Sequence, residues 1–174
     1  SNIIWSYYFK NIVKYDTSAL TKIHDIALTN LVPFASLIYS RAMLAVTNSS
    51  GTNIFIVIKA SGNANYLLRI TETGPSSYTT KFITNSSWLG SIRDINSIIV
   101  NPTNHNDLYM AVSENTYYNA VPRGIMRSTD AEGTNWQMLY SAGLTNAREI
   151  TMDNNGIMYT ARKYDFGGQY LMSD

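Results

Sequence analysis

Residues 44–58, LAVTNSSGTNIFIVI, align without a gap on residues 98–112, IIVNPTNHNDLYMAV, fifty-four positions further along the chain. Apolar residues fall over apolar residues and turn-formers over turn-formers, so both stretches encode the same strand, polar turn and strand. A chain that repeats a hairpin at this spacing is built from copies of one supersecondary unit. Such a unit cannot bury both of its faces alone, so the copies have to stack on one another.

The second copy shows how large the unit is. Ile95 to Val100 is a short β-branched run that stops at Asn101-Pro102, because proline has no N–H to give to a ladder. Residues 103–107 are polar and turn-forming, and Leu108 to Val112 is a second, mostly apolar strand of ordinary length. A loop carrying Tyr117, Tyr118 and Pro122 leads to a third strand from Gly124 to Arg127, which ends in Ser128-Thr129-Asp130. Gly133 follows, and then a fourth strand from Trp136 to Tyr140. Four antiparallel strands in about 46 positions is the size of one propeller blade.

The same order runs through the rest of the chain. Residues 2–9, 11–17 and 20–26 read as three strands, the later strands of a unit whose first strand is absent. Residues 31–45 suit a short amphipathic helix or a strand, with Pro33 arguing against a helix through it. Tyr66 to Glu72 matches Gly124 to Asp130 in pattern, with Glu72 where Asp130 stands, and Tyr78 to Ile83 supplies a fourth strand. Ile150 to Met152, the turn Asp153-Asn154-Asn155-Gly156, the strand Ile157 to Arg162 and the segment Gly168 to Asp174 repeat the order once more. The expected fold is therefore all-β, a β-propeller segment of about three to four four-stranded antiparallel blades. Residues 1–174 form one partial propeller, with blade pieces at about 1–28, 34–84, 93–141 and 147–174. Propellers close with roughly four to eight blades, so further blades are expected from a longer chain or from other copies. The competing architecture is a β-sandwich of two sheets.

Ser128, Asp130, Gly133 and Trp136 resemble the Asp box, Ser-x-Asp-x-Gly-x-x-Trp, of the bacterial neuraminidase repeat found in sialidases, sortilin-type receptors, photosystem II assembly propellers and xyloglucanase-like glycosidases. A short acid in a tight turn accepts backbone N–H bonds, glycine takes a positive φ, and the tryptophan packs beneath the turn between neighbouring sheets. Gly133 lies three residues after Asp130, where the family usually has two, so the turn is one residue longer. The preceding Ile-Val-Asn-Pro-Thr-Asn-x-Asn-x-Leu-Tyr segment also resembles the strand, turn and strand that come before such boxes. In the resembling families the box lies on the outer rim, which implies a structural role for Asp130.

Composition narrows the partners. Charged residues make up 14% of the chain and the net charge is +1, which leaves no electrostatic footprint for nucleic acid or an acidic membrane surface. Thirteen tyrosines, with loops rich in Asn, Ser and Thr, suit exposed sheets and turns. The absence of cysteine excludes disulfides, thiol catalysis and Cys-based zinc sites. No apolar stretch is long enough to span a membrane as a helix, and Ser1-Asn2-Ile3 lacks a basic-then-apolar leader, so a soluble chain with any signal peptide already removed is expected.

Chemistry is less legible than architecture. Residues 161–170, ARKYDFGGQY, resemble the Ala-Arg-x-Asp-x-Gly-Gly-x-Tyr loop that carries a catalytic aspartate in xyloglucanase-like propellers, with one extra residue between Arg162 and Asp165. The resemblance implies that Asp165 is one catalytic acid; its bland reading is a solvated aspartate in a glycine-rich connection. Glycoside hydrolysis needs two carboxyl groups, about 5 to 10 Å apart, and this loop supplies one. A sialidase needs an arginine cluster and a Tyr-Glu pair. Arg41, Arg69, Arg93, Arg123, Arg127, Arg148 and Arg162 are numerous enough, and Glu72, Glu114 and Glu149 are candidate partners, without a spacing that selects any. Arg69 and Arg127 hold equivalent strand positions, which points to a role in the repeat itself. His24 and His105 lie in unrelated contexts and define neither a metal site nor a triad, and His105 reads as exposed. The run Asp153 to Gly156 lacks the twelfth-position ligand of a calcium loop and suits a hairpin turn. Asn48-Ser49-Ser50 and Asn85-Ser86-Ser87 are glycosylation sequons only in a eukaryotic secretory context.

Tyr117, Tyr118, Tyr164 and Phe166 fall in loops between second and third strands, which cluster on one face of a propeller and offer platforms for sugar rings or partner side chains. The expected function is a secreted, periplasmic or cell-surface binding module that takes a protein or carbohydrate ligand, with no cofactor and no metal. The alternatives are a xyloglucanase-like or sialidase-like glycoside hydrolase using Asp165, and a structural subunit that assembles through open blades.

Overall fold

The structure is a computed structural model that describes residues 3–8, 11–28, 37–60, 65–83, 94–113, 124–140, 147–162 and 170–172. The described residues form four antiparallel sheets, each an up-and-down meander whose strands neighbour one another in chain order. The first sheet holds β1 (Ile3–Tyr8), β2 (Asn11–Asp16) and β3 (Thr21–Ala27). The second holds β4 (Leu37–Asn48), β5 (Gly51–Ala60), β6 (Asn65–Gly74) and β7 (Ser77–Ile83). The third holds β8 (Asp94–Asn101), β9 (Asn104–Ser113), β10 (Gly124–Ser128) and β11 (Gln137–Tyr140), and the fourth β12 (Ala147–Met152), β13 (Met158–Arg162) and β14 (Tyr170–Met172). From Leu37 onward the segment that suited either helix or strand is strand. Among the described residues no helix is long and apolar enough to cross a membrane.

The apolar run Ile54-Phe55-Ile56-Val57-Ile58 explains how the sheets are arranged. Successive side chains of a strand point to opposite faces, so an unbroken apolar strand needs cover on both. Ile54, Ile56 and Ile58, with Leu68 and Ile70 of β6, pack against Ile12, Ile26 and Leu28 of the first sheet region. Phe55 and Val57, with Leu67 and Ile83, pack the other way, against Ile98, Leu108, Met110 and Val112 of the third sheet. The third sheet repeats the device, turning Tyr109, Ala111 and Ile125 toward Ala147, Ile150 and Met158 of the fourth. Among the described residues three separate cores thus join four sheets in chain order, which is not a two-sheet sandwich. Each fully buried Ile, Leu or Phe contributes roughly 1.5–3 kcal/mol, so these cores dominate the energetics. The first strands of successive sheets also meet: β1 touches β4, β4 touches β8 and β8 touches β12.

The two repeated hairpins are not identical in register. In the second sheet the ladder runs evenly from Leu44↔Phe55 to Asn48↔Gly51. In the third it runs from Ile98↔Met110 to Val100↔Leu108 and then jumps to Asn101↔Asn104. The turn comes early because Pro102, with its fixed φ and missing donor, takes a turn position rather than a ladder position. Residues 105–107 are left over in β9, without partners in the β8 ladder.

Candidate functional site

The connection from β10 to β11 is organised by one carboxylate. Asp130 Oδ1 accepts the Glu132 N–H at 2.8 Å, and Oδ2 accepts the N–H groups of Thr134 at 3.0 Å and Asn135 at 2.8 Å and the Thr134 hydroxyl at 3.0 Å. Ser128, almost fully buried, donates its hydroxyl to Asp130 Oδ2 at 3.3 Å. Gly133 closes the turn by donating its N–H to the Asp130 carbonyl at 2.9 Å, with a φ of 61°. Trp136, 5% exposed, donates its indole N–H to the Gly133 carbonyl at 2.6 Å. Burial pushes the Asp130 carboxyl up, but the Asn135 N–H, the Thr134 hydroxyl and the Thr134 and Glu132 N–H groups outweigh it and hold the group below the usual aspartate value.

This loop is fastened to the preceding sheet. The Ala131 carbonyl accepts Asn48 Nδ2 at 2.8 Å and the Ser50 hydroxyl at 3.2 Å, both from the β4–β5 turn. Arg69 on β6 reaches the Glu132 carboxylate at 3.1 Å, and Lys81 on β7 reaches the same carboxylate at 3.6 Å. A Cβ added to Gly133 would stand 2.9 Å from Phe55 Cε1 and 3.1 Å from Leu108 Cδ1, so the glycine lets the loop lie directly on the shared core. Beneath the β4–β5 turn, Asn53 is fully buried and satisfied: its Nδ2 donates to Asn48 Oδ1, Ser50 Oγ and the Gly51 carbonyl, and its Oδ1 accepts the Thr71 hydroxyl. The residues left over in β9 complete the clasp. His105 Nδ1 lies 3.0 Å from the Thr47 carbonyl, and Asn106 Oδ1 accepts the Ser49 N–H at 3.1 Å and its hydroxyl at 2.9 Å. Asp107, 5% exposed, takes Arg127 Nη2 at 2.7 Å, a bond that holds the guanidinium even more firmly protonated than usual. The Arg127 guanidinium also sits 5.7 Å from the Tyr109 ring centroid, within cation–π range.

The other described carboxylates are mostly engaged in structure. Glu72 pairs with Lys14 of the first sheet. Asp16 Oδ1 accepts the N–H groups of Ser18 and Ala19, which lower its pKa, and Asp25 lies 3.3 Å from Lys22. Asp153 Oδ1 accepts the N–H groups of Asn155 and Ile157, both at 2.9 Å, so the run through Gly156 is a turn held by its own acid. Glu149 is different: it is exposed, and among the described residues no hydrogen bond or ion pair engages its carboxylate.

Glu149 belongs to a groove on the first strands. Across β4–β5 the pairs Ser40↔Ile58 and Ala42↔Val57 leave residue 41 extra. Across β8–β9 the pairs Ile95↔Val112 and Ser97↔Ala111 leave Asn96 extra. Across β12–β13 the pairs Ala147↔Arg162 and Glu149↔Ala161 leave residue 148 extra. Ile58 and Val112 are equivalent in the fifty-four-residue repeat, so the first two bulges stand at one level, and the third follows the same two-against-one pattern at the start of β12. Bulges re-aim side chains and concentrate beside functional sites. Here they border a cavity of about 330 Å³ lined by Ala42, Met43, Asn96, Ser97, Ile98, Glu149 and Ile150, contributed by β4, β8 and β12. Asn96 Nδ2 spans the junction to the Ala147 carbonyl at 3.0 Å.

Of the residues singled out in the sequence, Ser128, Asp130, Gly133 and Trp136 come together in the β10–β11 turn. Asp165, Tyr117, Tyr118, Tyr164 and Phe166 lie outside the described residues, as does Glu114. Among the described residues no group of three or more His, Asp or Glu side chains stands where it could hold a metal ion. The bulged groove was not anticipated, because register is set by pairing across strands and leaves no mark in a single strand's pattern. The one available signal was the polar pair Asn96-Ser97 inside the apolar run of β8. Neither the known protein families nor the curated proteins include a match to this chain.

Proposed function

We propose that the chain is part of a β-propeller of the Asp-box repeat kind, working outside the cytoplasm, in the periplasm or at the cell surface as a module that binds protein or carbohydrate. The observation that carries the binding assignment is the groove bordered by three successive first-strand bulges. Its lining combines apolar side chains with an amide, a hydroxyl and a carboxylate, the mixture that suits a sugar ring or a peptide segment. The ends of β9 and β13, from which residues 114–123 and 163–169 continue, are the strand ends that pair with the bulged starts of β8 and β12. The proposed binding face takes in Tyr117, Tyr118, Tyr164 and Phe166 of those continuing segments. The propeller assignment is supported by meanders stacked in chain order, first strands in mutual contact, and a turn acid that holds its own loop against the neighbouring sheet. The test is a glycan array followed by titration calorimetry with any oligosaccharide that binds, comparing wild type with Ser97→Trp, which fills the groove. Loss of binding in the variant is the expected result, and unchanged binding would show that the ligand does not occupy the groove. If no glycan binds, the carbohydrate branch fails and the protein branch remains.

A second reading is favoured by Glu149, an exposed carboxylate in the groove that no hydrogen bond or ion pair engages among the described residues. A glycoside hydrolase needs two carboxyl groups, and Asp165 with Glu149 would supply them. Release of reducing sugar from polysaccharide by wild type, Asp165→Asn and Glu149→Gln decides this. Activity abolished in both variants supports it, and equal or absent activity in all three sinks it.

A further inference from the structure

The turn between β12 and β13 contains the chain's single Asn-Gly pair, Asn155-Gly156. Glycine has no side chain to obstruct attack by its own amide nitrogen on the preceding carboxamide, which makes this dipeptide chemically the most prone to deamidation. Asn155 is exposed, and among the described residues a Cβ built on Gly156 would meet no atom within 4 Å. What restrains the pair is the turn. The Gly156 N–H donates to the Asp153 carbonyl at 3.1 Å, Asp153 N–H donates to the Ile157 carbonyl at 3.0 Å, and Asp153 Oδ1 holds the N–H groups on either side, those of Asn155 and Ile157. The nucleophilic nitrogen is thus committed to a hydrogen bond inside the turn, and the flanking peptide planes are pinned by one carboxylate, with Gly156 at a φ of 84°.

We propose that Asn155 is a latent deamidation site that the Asp153-centred turn keeps closed. When the turn opens, the Gly156 nitrogen loses its proton to solvent and bonds to the Asn155 carboxamide carbon. The carbon–nitrogen bond of the carboxamide breaks, and the amino group leaves with a proton as ammonia. Water then opens the resulting succinimide at one of its two carbonyls. Opening at the side-chain carbonyl leaves aspartate, and opening at the main-chain carbonyl leaves an isoaspartate through which the backbone runs with one extra methylene. Amide and water become acid and ammonia, with no change of oxidation state. The isoaspartate lengthens a turn whose closing pair is Met152↔Met158 and places a second negative charge beside Asp153. Met158, which closes that turn, and Ile150, two positions further along the ladder, join Ala147 in seating the fourth sheet on Tyr109, Ala111 and Ile125, so the modification loosens the fourth sheet from the third.

The experiment incubates the full chain at mildly alkaline pH and follows the peptide containing Asn155 by mass spectrometry, with isoaspartate quantified separately. Wild type should convert slowly when folded and faster in urea. Asp153→Ala should convert at least about tenfold faster than wild type when folded, the factor given by losing the net worth of about one hydrogen bond from the turn. Asp153→Asn, which retains an acceptor oxygen, should stay near wild type, and Asn155→Gln should remove the product. Equal rates in folded wild type and folded Asp153→Ala would overturn the proposal, as would a wild type that converts equally fast folded and unfolded. If Asp153→Ala fails to fold, wild type in urea below its unfolding transition gives the same information. A rate that rises with the exchange rate of the Gly156 amide supports the proposal, and a flat rate overturns it.

Discussion

Glu72 and Asp130 stand at matching points of two copies of one unit, at the end of the third strand, and they act in opposite directions. Glu72 remains inside its ladder, paired in register with Tyr78, and the chain turns tightly at Gly74↔Ser77. Its carboxylate reaches sideways to Lys14 in the preceding sheet. Asp130 lies beyond its strand, and its carboxylate turns back onto the amides of its own loop. The difference follows from reach and from donors. Aspartate, one methylene shorter, fits over consecutive N–H groups, and the longer β10–β11 connection presents such groups where the tight β6–β7 turn has none to spare. Both acids join neighbouring sheets, one through an ion pair and the other by making a loop rigid enough to be gripped by Asn48, Ser50 and Arg69.

The comparison is most sharply tested at the tryptophan, which only the Asp130 loop possesses. Trp136→Ala removes a buried ring and the indole bond to Gly133, and should cost about 3–5 kcal/mol in urea denaturation. A cost under about 0.5 kcal/mol, the range of surface substitutions, would show that the loop does not seal the core. Next come the two acids. Asp130→Ala should cost about 2 kcal/mol, since several amide donors lose a charged acceptor at once, while Glu72→Ala should cost about 1 kcal/mol or less. Equal costs would erase the distinction between a loop-building acid and a pairing acid. The smallest effect is on pH. The Asp130 pKa is depressed in the folded state, so its stabilisation is complete above the unfolded value of about 3.9 and is lost as the pH falls through the lower folded value. The stability difference between wild type and Asp130→Asn should therefore hold constant from neutral pH to about 5 and shrink below about 4. A difference that shrinks already near neutrality would contradict the assigned hydrogen bonds.

Much of the architecture was legible because it rests on local pattern. The run Ile54 to Ile58 is strand by its β-branched content, and Asn101-Pro102 stops a strand by removing a donor. The match of residues 66–72 to residues 124–130 also places Arg69 and Arg127 at corresponding positions, opposite Phe55 and Tyr109, and each meets an acid, Glu132 and Asp107. The clasp was less legible. Asn48 reads as a sequon and His105 as an exposed turn residue; His105 is exposed, and what the sequence hides is that both bridge sheets to partners 83 and 58 positions away. Asn53 at the head of an apolar strand is intelligible only once Asn48, Ser50 and Thr71 surround it. The groove depends on bulges, and a bulge is a mismatch between two strands rather than a property of either.

The stacked arrangement requires the third sheet's turn to lie on the second sheet's core. Nuclear Overhauser effects between the Gly133 α-protons and the Phe55 ring test this directly. The stacking described here predicts strong cross-peaks, given the 2.9 Å separation between Phe55 Cε1 and the site of an added Gly133 Cβ. Their absence, in a folded sample where Trp136 still shows its cross-peaks to Gly133, would mean that the turn forms without the neighbouring sheet and that the stacked arrangement is wrong.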